Sequence, residues 1–262
     1  MESIVLYCKS YRNDVHRAKA LLESITKYNE DSIPFYISVP SADRELFESV
    51  LGTTDYILLS DEDIDVEEGG WKGQQIIKAQ FWKLGLCHNY LCLDSDSLFI
   101  RPFYKSDFLY SGNIPYTVCH EQKELFEWAQ KNLHFDPQGG FKEDRKKVMD
   151  VLGRTGRYYD FGPSPVIWNT EVWKGLEENY TKPNNLTFRQ LIEHSHSEFA
   201  WYGEYLLVSS TIPIYPAQPL FKVFHYPGQY LASKEQGYTK EDLAKNYLGI
   251  ILQSNWGNIT DY

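Results

Sequence analysis

With 262 residues, 42% of them hydrophobic and 24% charged, the chain has enough apolar material to bury the core of one domain spanning 1–262. Its net charge of −10 and pI near 5.2 argue against a nucleic-acid-binding surface and against polybasic attachment to anionic lipid. No stretch approaches the roughly 18 consecutive apolar residues of a membrane span. The start, Met1-Glu2-Ser3, lacks the basic region of a secretory signal, so a cytoplasmic location is the expectation. Cys8, Cys87, Cys92 and Cys119 then read as reduced core residues, and the Asn-x-Thr sequons at Asn179, Asn185 and Asn258 carry no weight.

In chain order, Ile4 to Cys8 is a continuous apolar run, as in a parallel strand buried on both faces. Asp14 can cap a helix reaching about Tyr28, with Val15, Ala18, Leu22 and Ile25 on one face. Phe35 to Val39 is a second strand, stopped by Pro40. Ser41 or Asp43 starts another helix, and Tyr56 to Leu59 is a third strand. The acidic run Asp61 to Glu68 reads as a solvated face. A helix from about Lys72 to Cys87 carries a core stripe of Ile77, Phe81 and Leu84. Gln74, Gln75, Lys78 and Trp82 form its more polar flank, which leaves Lys78 either a phosphate or sugar partner or a plain solvent-exposed lysine. Later elements are a strand at Ile114–Cys119, a helix at Glu121–Leu133, and loops at Asp136–Gly140 and Arg154–Pro165. A short strand at Val166–Trp168 follows, then helices near Glu171–Tyr180, Thr187–His194 and Glu198–Val208, and a strand at Phe221–Phe224. Strands alternating with helices predict an α/β fold with a mostly parallel sheet flanked by helices, followed by an irregular C-terminal part.

The strongest chemical signal is Tyr90-Leu91-Cys92-Leu93-Asp94-Ser95-Asp96, an apolar run ending in two acids. Alternation in an extended chain would place Asp94 and Asp96 on one side and Ser95 on the other. At the carboxyl end of a strand, where open α/β sheets bind ligands, two carboxylates suit a hard cation such as Mn²⁺ or Mg²⁺ with room left for phosphate oxygens. The competing reading is an ordinary Asp-rich turn. Aromatic residues reach 16% of the chain, with 20 Tyr and 7 Trp, either building the core or forming flat platforms for sugar rings or a nucleobase.

Three features together resemble a glycosyltransferase of the A-type (GT-A) fold: the strand–loop–helix Ile4–Tyr28, the Leu93-Asp94-Ser95-Asp96 segment, and the late His225-Tyr226-Pro227-Gly228. Gly70-Trp71-Lys72-Gly73-Gln74-Gln75 and Ser197-Glu198-Phe199-Ala200-Trp201-Tyr202-Gly203 also resemble segments of uncharacterised bacterial polysaccharide glycosyltransferases. The resemblance implies a GT-A-like fold whose donor is a nucleotide-diphosphate sugar, a UDP-sugar as a guess. It implies that Asp94 faces the ribose or the metal, that Asp96 binds Mn²⁺ or Mg²⁺, and that His225 completes the coordination through a neutral imidazole. Tyr11 and Arg12 are placed to touch base or phosphate, Lys222 could reach phosphate, and Gln75, Lys78, Ser95 and Gly228 join the donor-binding set. The acceptor would be a hydroxyl of a glycan or lipid-linked glycan, in surface polysaccharide biosynthesis, with peripheral membrane association allowed. Residues 1–102 would form the nucleotide-sugar-binding half and 103–262 the acceptor-binding half.

An inverting reaction, the favoured course, needs a carboxylate base whose pKa is raised by burial. Glu198 is the first choice, opening a helix beside Phe199, Trp201 and Tyr202; Asp160 and Glu204 stand in reserve. Against this, an acid in a first helical turn can serve the helix dipole alone. Two other functions compete: a phosphatase-like hydrolase with Asp94 as nucleophile, and a non-catalytic carbohydrate-binding protein of the same fold.

Overall fold

The computed structural model describes residues 1–52, 55–65, 70–163 and 165–253. The end of the acidic run (66–68) and the Asn258 sequon lie outside them. The N-terminal part follows the sequence pattern closely: β1 (Val5–Lys9), α1 (Val15–Tyr28), β2 (Phe35–Val39), α2 (Arg44–Leu51) and β3 (Ile57–Ser60). Then come α3 (Trp71–Gln80), β4 (Asn89–Leu93) and β5 (Ser97–Phe99), with β6 (Leu109–Ser111) and β7 (Ile114–Val118) after them. The remainder contains α4 (Lys123–Asn132), α5 (Pro137–Leu152), β8 (Val166–Asn169), α6 (Thr170–Leu176), α7 (Phe188–His194) and α8 (Glu198–Ser209). It closes with β9 (Tyr215–Ala217), β10 (Phe221–Phe224), α9 (Pro227–Glu235), α10 (Lys240–Ala244) and β11 (Gly249–Leu252).

The central sheet has the order β3-β2-β1-β4-β8, parallel except for β8, which runs antiparallel to β4. Cys8 sits beside Ile37 on one flank and Leu93 on the other, so the carboxyl ends of the parallel strands form one edge. Side chains alternate along each strand, and the two faces carry separate cores. Val5, Tyr7, Tyr90 and Cys92 meet Ile76, Ile77 and the aromatic rings of α6 and α8 on one face; Leu6, Cys8, Leu91 and Leu93 meet α1 and Phe47 of α2 on the other. Trp168, Trp173 and Trp201 are fully buried in the first core, each contributing about 1.5–3 kcal/mol or more. Part of the aromatic surplus is therefore core.

Strands from both sides of residue 102 share sheets: β8 completes the central one, and β11 lies between β10 and β5 in a second. Four expectations need correction. The aspartate strand stops at Leu93, because the Ser97 N–H bonds to the Asp94 carbonyl and turns the chain. Helix α3 ends at Gln80 and tightens into a 3₁₀ turn, Phe81–Leu84, closed by Gly85 at φ 66°, where a left-handed residue is required. The Asp136–Gly140 loop is the start of α5, with the Asp136 side chain accepting from the Gln138 N–H at 2.9 Å and Pro137 in the first turn. Asp14 precedes α1 without capping it. The cysteines are free, three of them buried. Among the described residues no helix is long and apolar enough to cross a membrane.

Candidate active site

Alternation decides what surrounds the Asp94–Asp96 turn. Asp94 continues the face of Tyr90 and Cys92, against which α3 and α8 pack, so it meets side chains from both helices. Lys78, on α3, is 3% exposed and places its ammonium 2.5 Å from Asp94 Oδ1 and 3.7 Å from Glu198 Oε1. A solvent-exposed helix lysine is thus ruled out. Gln75, also buried, donates its amide N–H to Glu198 Oε2 at 2.7 Å and accepts from the Trp71 indole N–H at 3.0 Å, in the amide orientation that satisfies both partners. Ser95 points to the opposite face, where its hydroxyl bonds to the Asp14 carboxylate. It is buried and holds the turn from behind, which corrects its expected place on the donor.

Burial pushes the Glu198 carboxyl up to about 7; the Asp94 charge acts in the same direction and Lys78 opposes them. Lys78 is itself held charged: burial disfavours its ammonium, but Asp94 and then Glu198 outweigh that cost. The pair Lys78–Asp94 is therefore the ion pair, and Glu198 is the group that can gain or lose a proton near neutral pH. Glu198 is only 2% exposed, with the Gln75 amide covering its oxygens, while Asp94 keeps about a third of its side chain open at 32%.

Along the same edge, Lys9 at the end of β1 is buried and pairs with Asp61 at 2.8 Å. The first acid of the acidic run thus turns inward; its pKa is raised by burial, against Lys9. Tyr11 is exposed at this edge, and Arg12 is fixed by Asp43, which accepts from its backbone N–H at 2.8 Å and from Nε at 2.7 Å. Both side chains are exposed.

His225, Lys222 and Gly228 lie elsewhere. β11 separates β10 from β5, and Leu252 donates its N–H to the Asp96 carbonyl, so a whole strand stands between the His225 strand and the aspartates. Among the described residues no three His, Cys, Asp or Glu side chains form a metal-holding group, so Asp94, Asp96 and His225 are not assembled as one. Burial drives His225 down to about 4, against the charge of Asp160 and alongside those of His120 and Lys222. The ring is thus held neutral in the company of Asp160, His120 and Lys222. Lys222 lies over the Phe224 and Tyr247 rings, and Gly228 packs beside Trp128, where a Cβ would come within 3.3 Å. The two aspartates alone still offer hard oxygen donors on an accessible turn, a set that fits Mg²⁺ or Mn²⁺ when phosphate oxygens complete the shell.

The reserve bases have other work. Asp160 is buried and accepts from Arg145 at 3.1 Å, Gln122 at 2.5 Å and the Gly162 N–H at 3.2 Å. Burial alone would raise its pKa, but Arg145 and Gln122 bring it below the usual carboxylate range, which makes it a weak base. Glu204 is fully buried against the Arg154 guanidinium. Sequence reasoning gave Asp14 and Asp61 other roles and missed Lys9 and Arg145; of these two only Lys9, a cation closing an apolar strand, carried a readable signal.

A family model for a family of unknown function, DUF6492, matches residues 3–241. No protein of curated function matches the sequence significantly. The fold is similar to that of mouse xyloside xylosyltransferase 1 in its apo crystal structure, with a TM-score of 0.51 at 8% identity over 96% of this chain and 98% of that one. At that identity the likeness is one of fold.

Proposed function

This chain belongs to the family of unknown function DUF6492, and from its site we propose that it is a glycosyltransferase moving a sugar from a nucleoside-diphosphate donor to a hydroxyl of a glycan. The observation that carries the reading is the buried Lys78–Asp94–Glu198 network directly behind the Asp94–Asp96 turn. The structural likeness to a xylosyltransferase supports it. In the reaction the bond between the sugar and the diphosphate breaks, one to the acceptor oxygen forms, and the acceptor hydroxyl loses its proton. A divalent cation held by Asp94 and Asp96 would supply positive charge to the departing diphosphate. Lys78 pairs with Asp94 and fixes its position; Tyr11 and Arg12 bind base or phosphate at the neighbouring strand end. Glu198 takes the acceptor proton in an inverting transfer, its raised pKa matching that task near neutral pH. For this the Gln75 amide must give way to the acceptor hydroxyl. A role in surface polysaccharide synthesis in the cytoplasm remains part of the proposal, on the sequence resemblance.

A thermal-shift screen of nucleotide sugars with and without Mn²⁺ tests it. Cation-dependent stabilisation by one nucleotide class is the expected result. Metal-dependent phosphate release from a phosphoester, with no nucleotide-sugar binding, would instead support a hydrolase with Asp94 as nucleophile. For Glu198→Gln, donor binding is kept and transfer lost; undiminished turnover would remove Glu198 as the base.

A further inference from the structure

Two segments more than a hundred residues apart, Gly70–Gln75 and Ser197–Gly203, meet over Glu198. Trp71 opens α3 and is 58% exposed, the one exposed tryptophan among the described residues. An indole left in water forgoes most of the stabilisation that burial would give it. It is nevertheless held in place. Its N–H donates to the Gln75 carbonyl at 3.0 Å, and the same amide donates to Glu198 at 2.7 Å. Its ring meets His196, also exposed, edge-to-face at 5.6 Å. The flat face is thus preorganised, solvated, and two hydrogen bonds from the proposed base.

We infer that Trp71 and His196 form the acceptor's sugar-binding subsite, on which a pyranose ring lays its C–H face against the indole and turns a hydroxyl toward Glu198. The chemistry of the patch selects this ligand class. A sugar ring has apolar C–H faces and a polar rim; the patch has one aromatic face with an imidazole beside it and an amide at its edge. A single exposed ring is far smaller than the roughly 800 Å² per partner of a stable protein interface. The inference rests on the glycosyltransferase reading of the same site and adds to it where the acceptor binds.

The test is a ligand-observed NMR titration of methyl hexosides, methyl pentosides and their disaccharides against wild type, Trp71→Ala, Trp71→Phe and His196→Ala. UDP binding is measured by calorimetry on the same samples. At least one glycoside binds wild type, weakens by about tenfold in Trp71→Ala, and keeps most of its affinity in Trp71→Phe, which retains the flat face. Glycoside affinity undiminished in Trp71→Ala overturns the subsite, as does a wild type that binds no member of the panel. If UDP binds while glycosides ignore Trp71, the subsite falls and the donor reading stands. If glycosides depend on Trp71 and UDP does not bind, the donor reading falls and the subsite stands.

Discussion

Glu198→Gln isolates the most perturbed acid of the site without changing its shape. In the folded protein its carboxyl titrates at about 7, compared with an ordinary value of 4.5. At about 1.36 kcal/mol per pH unit, that difference corresponds to about 3 kcal/mol of linked stability. The sign follows from proton affinity. The folded state binds this proton more tightly than the unfolded chain does, so the contribution is fully present below about 4.5 and is lost as pH rises through about 7. Urea unfolding of wild type and variant across that window reads the difference directly, because other groups titrate alike in both. Wild type should lose about 3 kcal/mol more than Glu198→Gln on going from about pH 4.5 to about pH 7. Parallel pH profiles for the two proteins would show that Glu198 titrates alike in the folded and unfolded chain and refute the account of the network.

Arg145→Met strands the buried Asp160 carboxylate and should cost about 3–5 kcal/mol in urea unfolding; a loss below about 1 kcal/mol would mean that Gln122 and the Gly162 N–H suffice. Lys78→Met should cost less, about 1–3 kcal/mol, because Asp94 is partly solvated and Glu198 can retain its proton. The same variant should also lose nucleotide affinity, and calorimetry showing unchanged affinity would remove Lys78 from the site.

The first three strands were legible because continuous apolar runs and a one-sided helix leave few alternatives. The Asp94–Asp96 turn was legible because two acids end such a run. Lys78 was named as a candidate, but its burial was not legible: α3 packs between the sheet and the other helices, so its polar-looking flank is buried at Gln75 and Lys78 too, and periodicity alone cannot show a helix covered on two sides. Glu198 was reached through its aromatic neighbours, whereas its link to Gln75 joins positions 123 residues apart and has no local signature. Helix α5 announced itself through Asp136-Pro137, but Gly139-Gly140 argued for a loop. Strand β11 escaped because its apolar run is short, whereas His225 was joined to the aspartates by the family resemblance alone, which carries no strand order. Asp61 was hidden inside an acidic run; only tertiary contact with Lys9 separates it from its solvated neighbours.

The central claim is that the Asp94–Asp96 turn holds a nucleoside diphosphate through a divalent cation. Calorimetric titration of UDP into wild type and Asp96→Ala, each with and without Mn²⁺, tests it most directly. The account predicts binding to wild type only with the cation, and its loss in Asp96→Ala at unchanged unfolding stability. Equal affinity in the two proteins would contradict it.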